Sequence, residues 1–425
     1  MKRNSRWKEG GKNLLILLLS VSAVYLLTLT PLVQDSGVLE FFTPGENNGG
    51  DVTNVTLTAA ARPSRMAVNP GSGRYAVQYD QAETDELFAY FGPLLGEALS
   101  SAEEPINITE SLWRRYLQNK GIYFDFSGDI PLSALGGWLY QTGDCILGET
   151  ARRVVLVLDS DDRVLLCYQN AENKDFRMCR TGLSFSLHLA PAISSIAGND
   201  AVFAYESEEW SQVIHPYTLI TESYMRQNYS ASMPLAVAGN LSRVLEALDY
   251  TGRNHASVSG GELYLDGSDR LQVLTGGRIT FDAAQEGKYT VATTGDTATV
   301  AEAIEAARGL AERTIGLLCG EAELYLISAE TAENGYCIRF GYRLDGSTVW
   351  LYDEGWAAEF YVERNCLTKF SLYFRSYTAT GTDALLLPMD KAAVMLPGLT
   401  EERLELVLQY RDRGENTVKP SWVAQ

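Results

Sequence analysis

The feature that most constrains this chain is an uncharged stretch near its start, residues 14–33. Its twenty residues include nine leucines and no Asp, Glu, Lys or Arg. At about 1.5 Å per residue, a helix of this length crosses the hydrocarbon core of a bilayer, which is roughly 30 Å thick. The sequence therefore predicts one transmembrane helix, which we assign to residues 13–33.

The charges that precede this stretch predict its orientation. The first twelve residues contain five basic residues and one acidic residue. The positive-inside rule keeps such an arm in the cytoplasm and sends the rest of the chain across the membrane. A cleaved signal peptide is the alternative, but the stretch is long for such a signal, and no A-x-A cleavage motif follows it. We therefore expect a single-pass protein of the cell membrane, with a cytoplasmic N-terminus and an extracytoplasmic C-terminal region.

The remainder of the chain is strongly acidic. The net charge is −19 for the whole chain and +4 for the first twelve residues, which leaves −23 on the other 413. A domain with this charge repels nucleic acid and anionic lipid headgroups. We therefore expect no nucleic acid partner, and we expect the membrane to hold the protein through the predicted anchor.

The cysteines and histidines do not indicate a metal site. No two cysteines form C-x-x-C, and His188, His215 and His255 are far apart in the sequence. A zinc site built from Cys and His is therefore not expected, and we predict no cofactor. An extracytoplasmic location permits a disulfide, for instance between Cys167 and Cys179 or between two of the last three cysteines. Scattered buried thiols explain the six cysteines equally well.

The pattern of elements after the linker predicts an α+β fold, because a helix pattern followed by antiparallel strand patterns occurs twice. One helix is predicted over residues 83–99, kinked or split at Gly92 and Pro93, and another follows Asn240 as its cap. Short strands joined by glycine turns form a meander over residues 261–281. The predicted segments are a cytoplasmic basic arm (1–12), a transmembrane anchor (13–33), a linker (34–72), a first extracytoplasmic α+β domain (73–220), a helix-plus-meander domain (221–290) and a C-terminal α+β domain (291–425).

No catalytic motif is present in the sequence. It lacks G-x-S-x-G, H-E-x-x-H, the P-loop and G-x-G-x-x-G. Its acidic pairs lie in polar surroundings that are typical of a solvated surface. Trp350, Tyr352 and Trp356 could line a ligand groove, although packing between neighbouring strands explains them more simply. We therefore predict no catalytic residues.

Polar side chains within the predicted anchor are the candidate partner-binding residues. Hydroxyl groups in a membrane helix bond to a neighbouring helix, at roughly 0.6–2 kcal/mol each. We expect such contacts from Ser20, Ser22, Tyr25 and Thr28.

Four features of the sequence occur together in one known family. They are the basic arm with its anchor, the run GIYFDF (121–126) followed by PLS (131–133), the helix 241–248 followed by LYLDGS (263–268), LQV (271–273) and GRI (277–279), and a last unit that closes with PSW (420–422). The third is the most specific, because it matches the family's Y-x-D-G-x-x-x-L meander. In this order the chain resembles the YycH family, single-pass membrane proteins of low-GC Gram-positive bacteria, and its last domain resembles that of YycI.

The resemblance implies a non-enzymatic function. Proteins of this family work with YycI on the WalK sensor kinase, so the implied partners are a sensor histidine kinase and a YycI-like membrane protein. Contacts between membrane helices would regulate the kinase, and the extracytoplasmic region would adjust those contacts. Two other classes stay open. One is a PepSY-like binding module that engages a peptidase or cell-wall enzyme. The other is a hydrolase in which His188 or His215 meets a carboxylate and a hydroxyl in one pocket.

Overall fold

The computed structural model describes residues 60–71, 75–78, 81–139, 145–193, 196, 198–199, 201–220, 226–250, 255–284, 288–352, 355–394 and 404–424. All of them belong to one unit of the chain, residues 55–425. The predicted arm and anchor and most of the predicted linker lie outside the described residues. Among the described helices, none combines the length and the apolar character that crossing a bilayer requires.

Seven antiparallel strands form the first sheet. In chain order they are β1 (Arg65–Asn69), β2 (Ala76–Gln78), β3 (Ile106–Ile108), β4 (Gly121–Pro131), β5 (Thr150–Leu158), β6 (Arg163–Asn170) and β7 (Phe176–Ser184). Their spatial order is β2-β1-β4-β5-β6-β7-β3. Two short strands, β8 (Val202–Phe203) and β9 (Leu219–Ile220), pair with each other beyond this sheet.

A second large sheet contains twelve of the remaining strands. The strands after β9 are β10 (Gln227–Ser232), β11 (His255–Val258), β12 (Gly261–Asp266), β13 (Asp269–Leu274), β14 (Arg278–Asp282), β15 (Tyr289–Thr290), β16 (Glu323–Ala332), β17 (Gly335–Leu344), β18 (Ser347–Leu351), β19 (Ala358–Glu363), β20 (Cys366–Tyr373), β21 (Ser376–Asp383), β22 (Leu406–Asp412), β23 (Thr417–Val418) and β24 (Pro420–Ala424). The main path of the sheet is β11-β12-β13-β14-β20-β19-β17-β18-β22-β24, with β15 beside β20 and β16 beside β17. Strands β21, β10 and β23 form a separate small sheet.

Helices cover parts of both large sheets. They are α1 (Gln81–Ser100), α2 (Glu110–Gln118), α3 (Leu132–Trp138), α4 (Phe185–His188), α5 (Ala190–Ile193), α6 (Asn240–Ala247), α7 (Val300–Glu312) and α8 (Met389–Val394), with 3₁₀ turns at Ala204–Glu206, Pro234–Ala236 and Gly316–Leu318. The paired strands of the described sheets are antiparallel except for β18 and β22, and with helices beside these sheets the described residues confirm the predicted α+β class.

The first sheet is buried on both faces. Alternate residues of β4 point to opposite sides, so that Phe124 faces the core beneath α1 while Tyr123 faces the core beneath α2. The α1 side is continuous with the core of the second sheet, to which α7 contributes Ile304. The two large sheets therefore share one hydrophobic core.

The backbones of the two sheets meet closely at Gly128 on β4. A Cβ at this position would collide with the carbonyl oxygens of Leu326 and Ile327 on β16. The register of β16 against β17 shifts between Leu326 and Ser328, which marks a bulge at the same point. Glycine is therefore required here for the approach of the two strands.

Several predicted elements are confirmed, and three details are corrected. Helix α1 runs through Pro93 without a break, because its buried face anchors both halves of the helix. Helix α6 is capped by Gly239 at φ +88°, and Asn240 instead donates its side-chain N–H to the Pro234 carbonyl at 3.0 Å. Strand β1 lies inside the predicted linker, where Met66 and Val68 are fully buried. The apolar stripe of α7 packs on its own sheet, as predicted.

The disulfide suggested for Cys167 and Cys179 is not formed. All six cysteines are free. Cys167 and Cys179 lie on the adjacent strands β6 and β7 but face opposite sides of the sheet, so they cannot bond to each other. The meander continues into the C-terminal strands because β14 pairs with β20. The division into three extracytoplasmic domains stays a prediction.

Candidate functional site

The predicted partner-binding residues of the anchor lie outside the described residues. Partner contacts therefore stay a prediction for Ser20, Ser22, Tyr25 and Thr28. The described residues offer two other candidates, an exposed surface of aromatic and arginine side chains and a buried cluster of ion pairs beside a cavity.

The predicted aromatic residues form a surface with arginines. Trp350 lies on β18, and Tyr352 follows the last residue of that strand. The centroids of their rings are 5.6 Å apart. The guanidinium of Arg411 lies 5.8 Å from the Trp350 ring, and that of Arg413 lies 5.6 Å from the Tyr352 ring. Trp350 is paired across strands with Arg411, so the packing is cation–π instead of the expected aromatic packing between strands. Trp356 is likewise contacted by a cation, from an arginine 5.0 Å away.

These four side chains, Trp350, Tyr352, Arg411 and Arg413, are called the aromatic–arginine surface below. Tyr352 is 58% exposed, which is unusual for a large aromatic residue in a well-packed sheet. Trp, Tyr and Arg are the residue types that contribute most to binding energy at protein interfaces. This surface is therefore suited to a protein partner.

The second candidate is a cluster of buried and half-buried charges on three neighbouring strands of the first sheet. It contains Arg65 on β1, Asp125 on β4, Arg152 and Arg153 on β5, and Glu405 immediately before β22. These five residues are called the ion-pair cluster below. The cluster joins three strands of the first sheet to the C-terminal segment.

The ion pairs of the cluster have short, direct geometry. Glu405 accepts from Arg65 and Arg153 at 2.6 Å each, and from both terminal nitrogens of Arg152 at 3.0 and 3.1 Å. Asp125 accepts from Arg65 Nε at 2.8 Å and from Arg152 Nε at 3.0 Å. Both carboxylates are almost entirely buried, with side chains 0% exposed for Asp125 and 8% for Glu405. Buried carboxylates need such partners, because an unpaired charge in the interior is strongly unfavourable.

The arginines keep both carboxylates ionised. Burial alone would raise the pKa of Glu405, but Arg152, Arg153 and Arg65 together lower that pKa well below its ordinary value. The pKa of Asp125 is also lowered, because the attraction of the same three arginines outweighs the effect of its complete burial. The cluster therefore holds three positive and two negative charges.

His215 lies beside the cluster as a neutral group. Burial lowers its pKa to about 4, and the positive charge of Arg153 adds to that effect. Its Nδ1 accepts a hydrogen bond from the Tyr217 backbone at 3.3 Å. His188 has a local role as well, since its Nδ1 lies 2.8 Å from the Ser184 backbone oxygen at α4. Neither histidine lines any of the three cavities described below.

A cavity of about 270 Å³ opens beside the ion-pair cluster, between the first sheet and the second. Three arginines contribute to its wall, Arg65 and Arg152 from the cluster and Arg226 from the segment before β10. It is called the arginine cavity below. Two larger cavities, of about 690 and 390 Å³, lie elsewhere, the first between α3 and α7 and the second near the β16–β17 turn.

Sequence analysis missed the ion-pair cluster, although the sequence carries a signal for it. Asp125 stands between two phenylalanines, and Glu405 stands between two leucines. Charged residues in such apolar runs are seldom buried unless they are paired. The partners of each charge come from distant parts of the chain, with Arg65 and Glu405 separated by 340 positions. The signal therefore indicates that a pair exists but cannot identify it.

Among the described residues, no three His, Cys, Asp or Glu side chains come together in a way that could hold a metal ion. No protein-family model matches the chain, and no curated protein matches it either. The crystal structure of YycH from Bacillus subtilis is similar, with a TM-score of 0.53 and 11% sequence identity, over 87% of this chain and 94% of that chain. The chain therefore has the fold of YycH, and the resemblance drawn from its sequence is confirmed at the level of the fold.

Proposed function

We propose that this chain is a non-enzymatic, membrane-anchored regulator of a WalK-type sensor histidine kinase, which acts together with a YycI-like membrane protein. The observation that carries the proposal is the YycH fold, which extends over 87% of the chain. The family resemblance supplies the kinase and the YycI-like protein as partners. Residues 13–33 hold the protein in the membrane, and the described region lies outside the cytoplasm.

The anchor transmits the regulation in this proposal, because it is the part of the chain that can contact a kinase helix inside the bilayer. The test replaces residues 14–33 with an unrelated membrane helix of equal length in the chromosomal gene. We expect the output of the kinase, read from a reporter of its response regulator, to change to the level of a deletion strain. Unchanged output at equal protein abundance removes the anchor from the mechanism.

The aromatic–arginine surface supplies the extracytoplasmic contact. Tyr352 is its most exposed ring and makes no contribution to the hydrophobic cores. We expect Tyr352→Ala to reduce co-purification of the kinase from detergent extracts by roughly tenfold, as truncation of an interface hot spot does.

Tyr90 provides the matched control for this experiment. It is also a largely exposed tyrosine, 53% accessible, but lies on α1. Tyr90→Ala should leave recovery of the kinase unchanged. Equal recovery with both variants would mean that the contact lies elsewhere.

A further inference from the structure

Strand β11 lies at one end of the second sheet. Among the described strands it pairs with β12 alone, and all four of its residues are exposed. It contains no Asp, Glu, Lys, Arg or Pro, and its register against β12 has no bulge. Charges, prolines and bulges are the features that keep an edge strand from pairing with another chain. The outer edge of β11 therefore has none of these protections.

The solvent face of the sheet is apolar next to this edge. Tyr264 on β12 points into the hydrophobic core, so Leu263 and Leu265 point to the solvent side. Ala256 lies opposite Leu263 and shares its face, and Val258 follows two residues later on the same face. Leu265 is 43% exposed and Val258 36%. Ala256, Val258, Leu263 and Leu265 are called the apolar edge below.

The other face of β11 is held in place by its own sheet. The His255 ring stacks on the Tyr264 ring, with 5.4 Å between the centroids and 24° between the planes. Main-chain hydrogen bonds supply the affinity when a strand is added to a sheet edge. An edge that is already ordered loses less conformational freedom on binding. Strand β11 is therefore prepared to accept a further strand.

Charge decides which partner fits this edge. The chain has a net charge of −19, so two copies repel each other over most of their surface. Counting from β11, the first charged side chain on the solvent face of the described strands is Arg270 on β13, opposite Leu265. Two strand spacings, about 10 Å, separate β13 from β11. A second copy therefore meets little repulsion here, whereas a basic partner would find no carboxylate on the apolar edge.

We propose that a second copy of this chain pairs with the outer edge of β11 at residues 256–258, strand against strand and antiparallel, across a two-fold axis. Pairing that keeps the solvent faces of both sheets on one side places Ala256 and Val258 opposite the same two residues of the other copy. The apolar edges of the two copies then form one continuous surface.

This pairing leaves the aromatic–arginine surface free. That surface lies on β18 and β22, and β18 is seven strand positions from β11, or about 34 Å along the sheet. A copy that is paired through β11 can therefore still contact a different protein through Trp350 and Tyr352. The inference does not depend on the proposed contact with a kinase.

The pairing is weak in dilute solution. A strand of four residues buries little area, below the roughly 1,200 Å² that separates transient contacts from stable ones. Copies that are held in one membrane meet at a much higher effective concentration. The test therefore uses the full chain in phosphatidylcholine liposomes.

Cross-linking measures whether two β11 strands lie side by side. Ala256→Cys places a thiol on the apolar edge, and a short bismaleimide then joins two copies. The matched control is Ser160→Cys, at an exposed serine of the β5–β6 turn in the first sheet, and the wild type gives the background from the native cysteines. We expect at least about fivefold more covalent dimer from Ala256→Cys than from the control, because facing side chains in an antiparallel pair are only about 5 Å apart.

A second substitution connects the cross-link to strand pairing. Val258→Lys puts a cation on each of the two facing strands, and it leaves the fold intact because Val258 is partly exposed at the sheet edge. Added to Ala256→Cys, it should lower the yield of dimer at least about fivefold, since like charges on facing strands repel. Val394→Lys is the matched control, at an exposed valine of α8, and it should leave the yield unchanged.

Each outcome bears on the proposal. A cross-link from Ala256→Cys that exceeds that from Ser160→Cys, and that Val258→Lys but not Val394→Lys weakens, supports it. Equal yields from the two cysteine variants would mean random collisions and would overturn it. A yield that Val258→Lys leaves unchanged would also overturn it, because the copies would then meet through another surface. Recovery of the kinase with Tyr352→Ala is a separate measurement, so the failure of one proposal leaves the other standing.

Discussion

Glu405 is the residue on which the arginines of the first sheet converge. Its carboxylate accepts from Arg65, Arg152 and Arg153. Glu405→Gln removes the negative charge that three arginines share, and the buried guanidinium groups of Arg65 and Arg153 lose an ionised partner. Loss of one partner from a buried pair costs about 3–5 kcal/mol, so we expect the free energy of unfolding to fall by about that amount in urea titrations.

Glu209→Gln is the control for this prediction, since Glu209 is an exposed acid in the same protein. Its effect should stay within about 0.5 kcal/mol. If Glu405→Gln were equally mild, the cluster would contribute little to stability.

His215 predicts how stability depends on pH. Its folded pKa of about 4 lies below the ordinary value of 6.5, so below about pH 6.5 the unfolded chain binds a proton that the folded protein does not. The contribution of His215 to the free energy of unfolding is therefore fully present above pH 6.5. It is lost as the pH decreases towards 4, by up to about 1.4 kcal/mol per pH unit. The lowered pKa values of Asp125 and Glu405 add a further loss only below about pH 4.

The measurement compares urea unfolding of wild type and His215→Asn at pH 7, 6 and 5. We expect the wild type to lose about 1–2 kcal/mol over this range and the variant to lose distinctly less. His255→Asn, at an exposed ring, should follow the wild type. Parallel curves for all three proteins would show that His215 is not the group responsible.

At the scale of elements, Gly128 decides whether β4 and β16 can approach each other. Gly128→Ala places a methyl group against the carbonyl oxygens of Leu326 and Ile327, which belong to the backbone and cannot rotate away. We expect a loss of about 1–3 kcal/mol, the range for overpacking. Gly137→Ala on α3 is the control, because the new methyl group meets nothing within 4 Å there, and it should raise stability by up to about 1 kcal/mol. If Gly128→Ala left the free energy of unfolding unchanged, β4 and β16 would have to lie farther apart than the structure shows.

Elements with a local pattern were predictable from the sequence. The β5–β6 hairpin, the meander from β12 to β14 and the stripe of α7 each follow from periodicity and turn residues. Strand β1 was not predictable, because its burial depends on pairing with β4, more than fifty residues away. The shared sheet was missed for the same reason, since the pairing of β14 with β20 joins residues about ninety positions apart. Long-range pairing leaves no local trace in the sequence.

The candidate site was predictable only in part. The sequence indicates Trp350 as a possible ligand-lining residue, and Trp350 lines the arginine cavity. The arginines of that cavity were missed, because Arg65 lay in the predicted linker and the position of Arg226 depends on the second sheet. Single charged residues become a site only when the tertiary fold brings them together.

At the scale of the whole molecule, the two large sheets should unfold together. They share one hydrophobic core, they touch at Gly128, and the ion-pair cluster joins β1, β4 and β5 to the segment before β22. Separate extracytoplasmic domains, as the sequence predicts, would instead open independently. Native-state hydrogen exchange distinguishes the two cases, since it gives an opening free energy for each strand.

We expect peptides from β5 and from β19 to exchange with the same maximal opening free energy, because neither sheet can expose its core without exposing that of the other. Glu405→Gln should lower both values equally, although Glu405 accepts a hydrogen bond from Arg153 on β5 and β19 belongs to the other sheet. A fall confined to β5 would show that the second sheet holds its structure alone. In that case the ion-pair cluster would stabilise only one part of the chain.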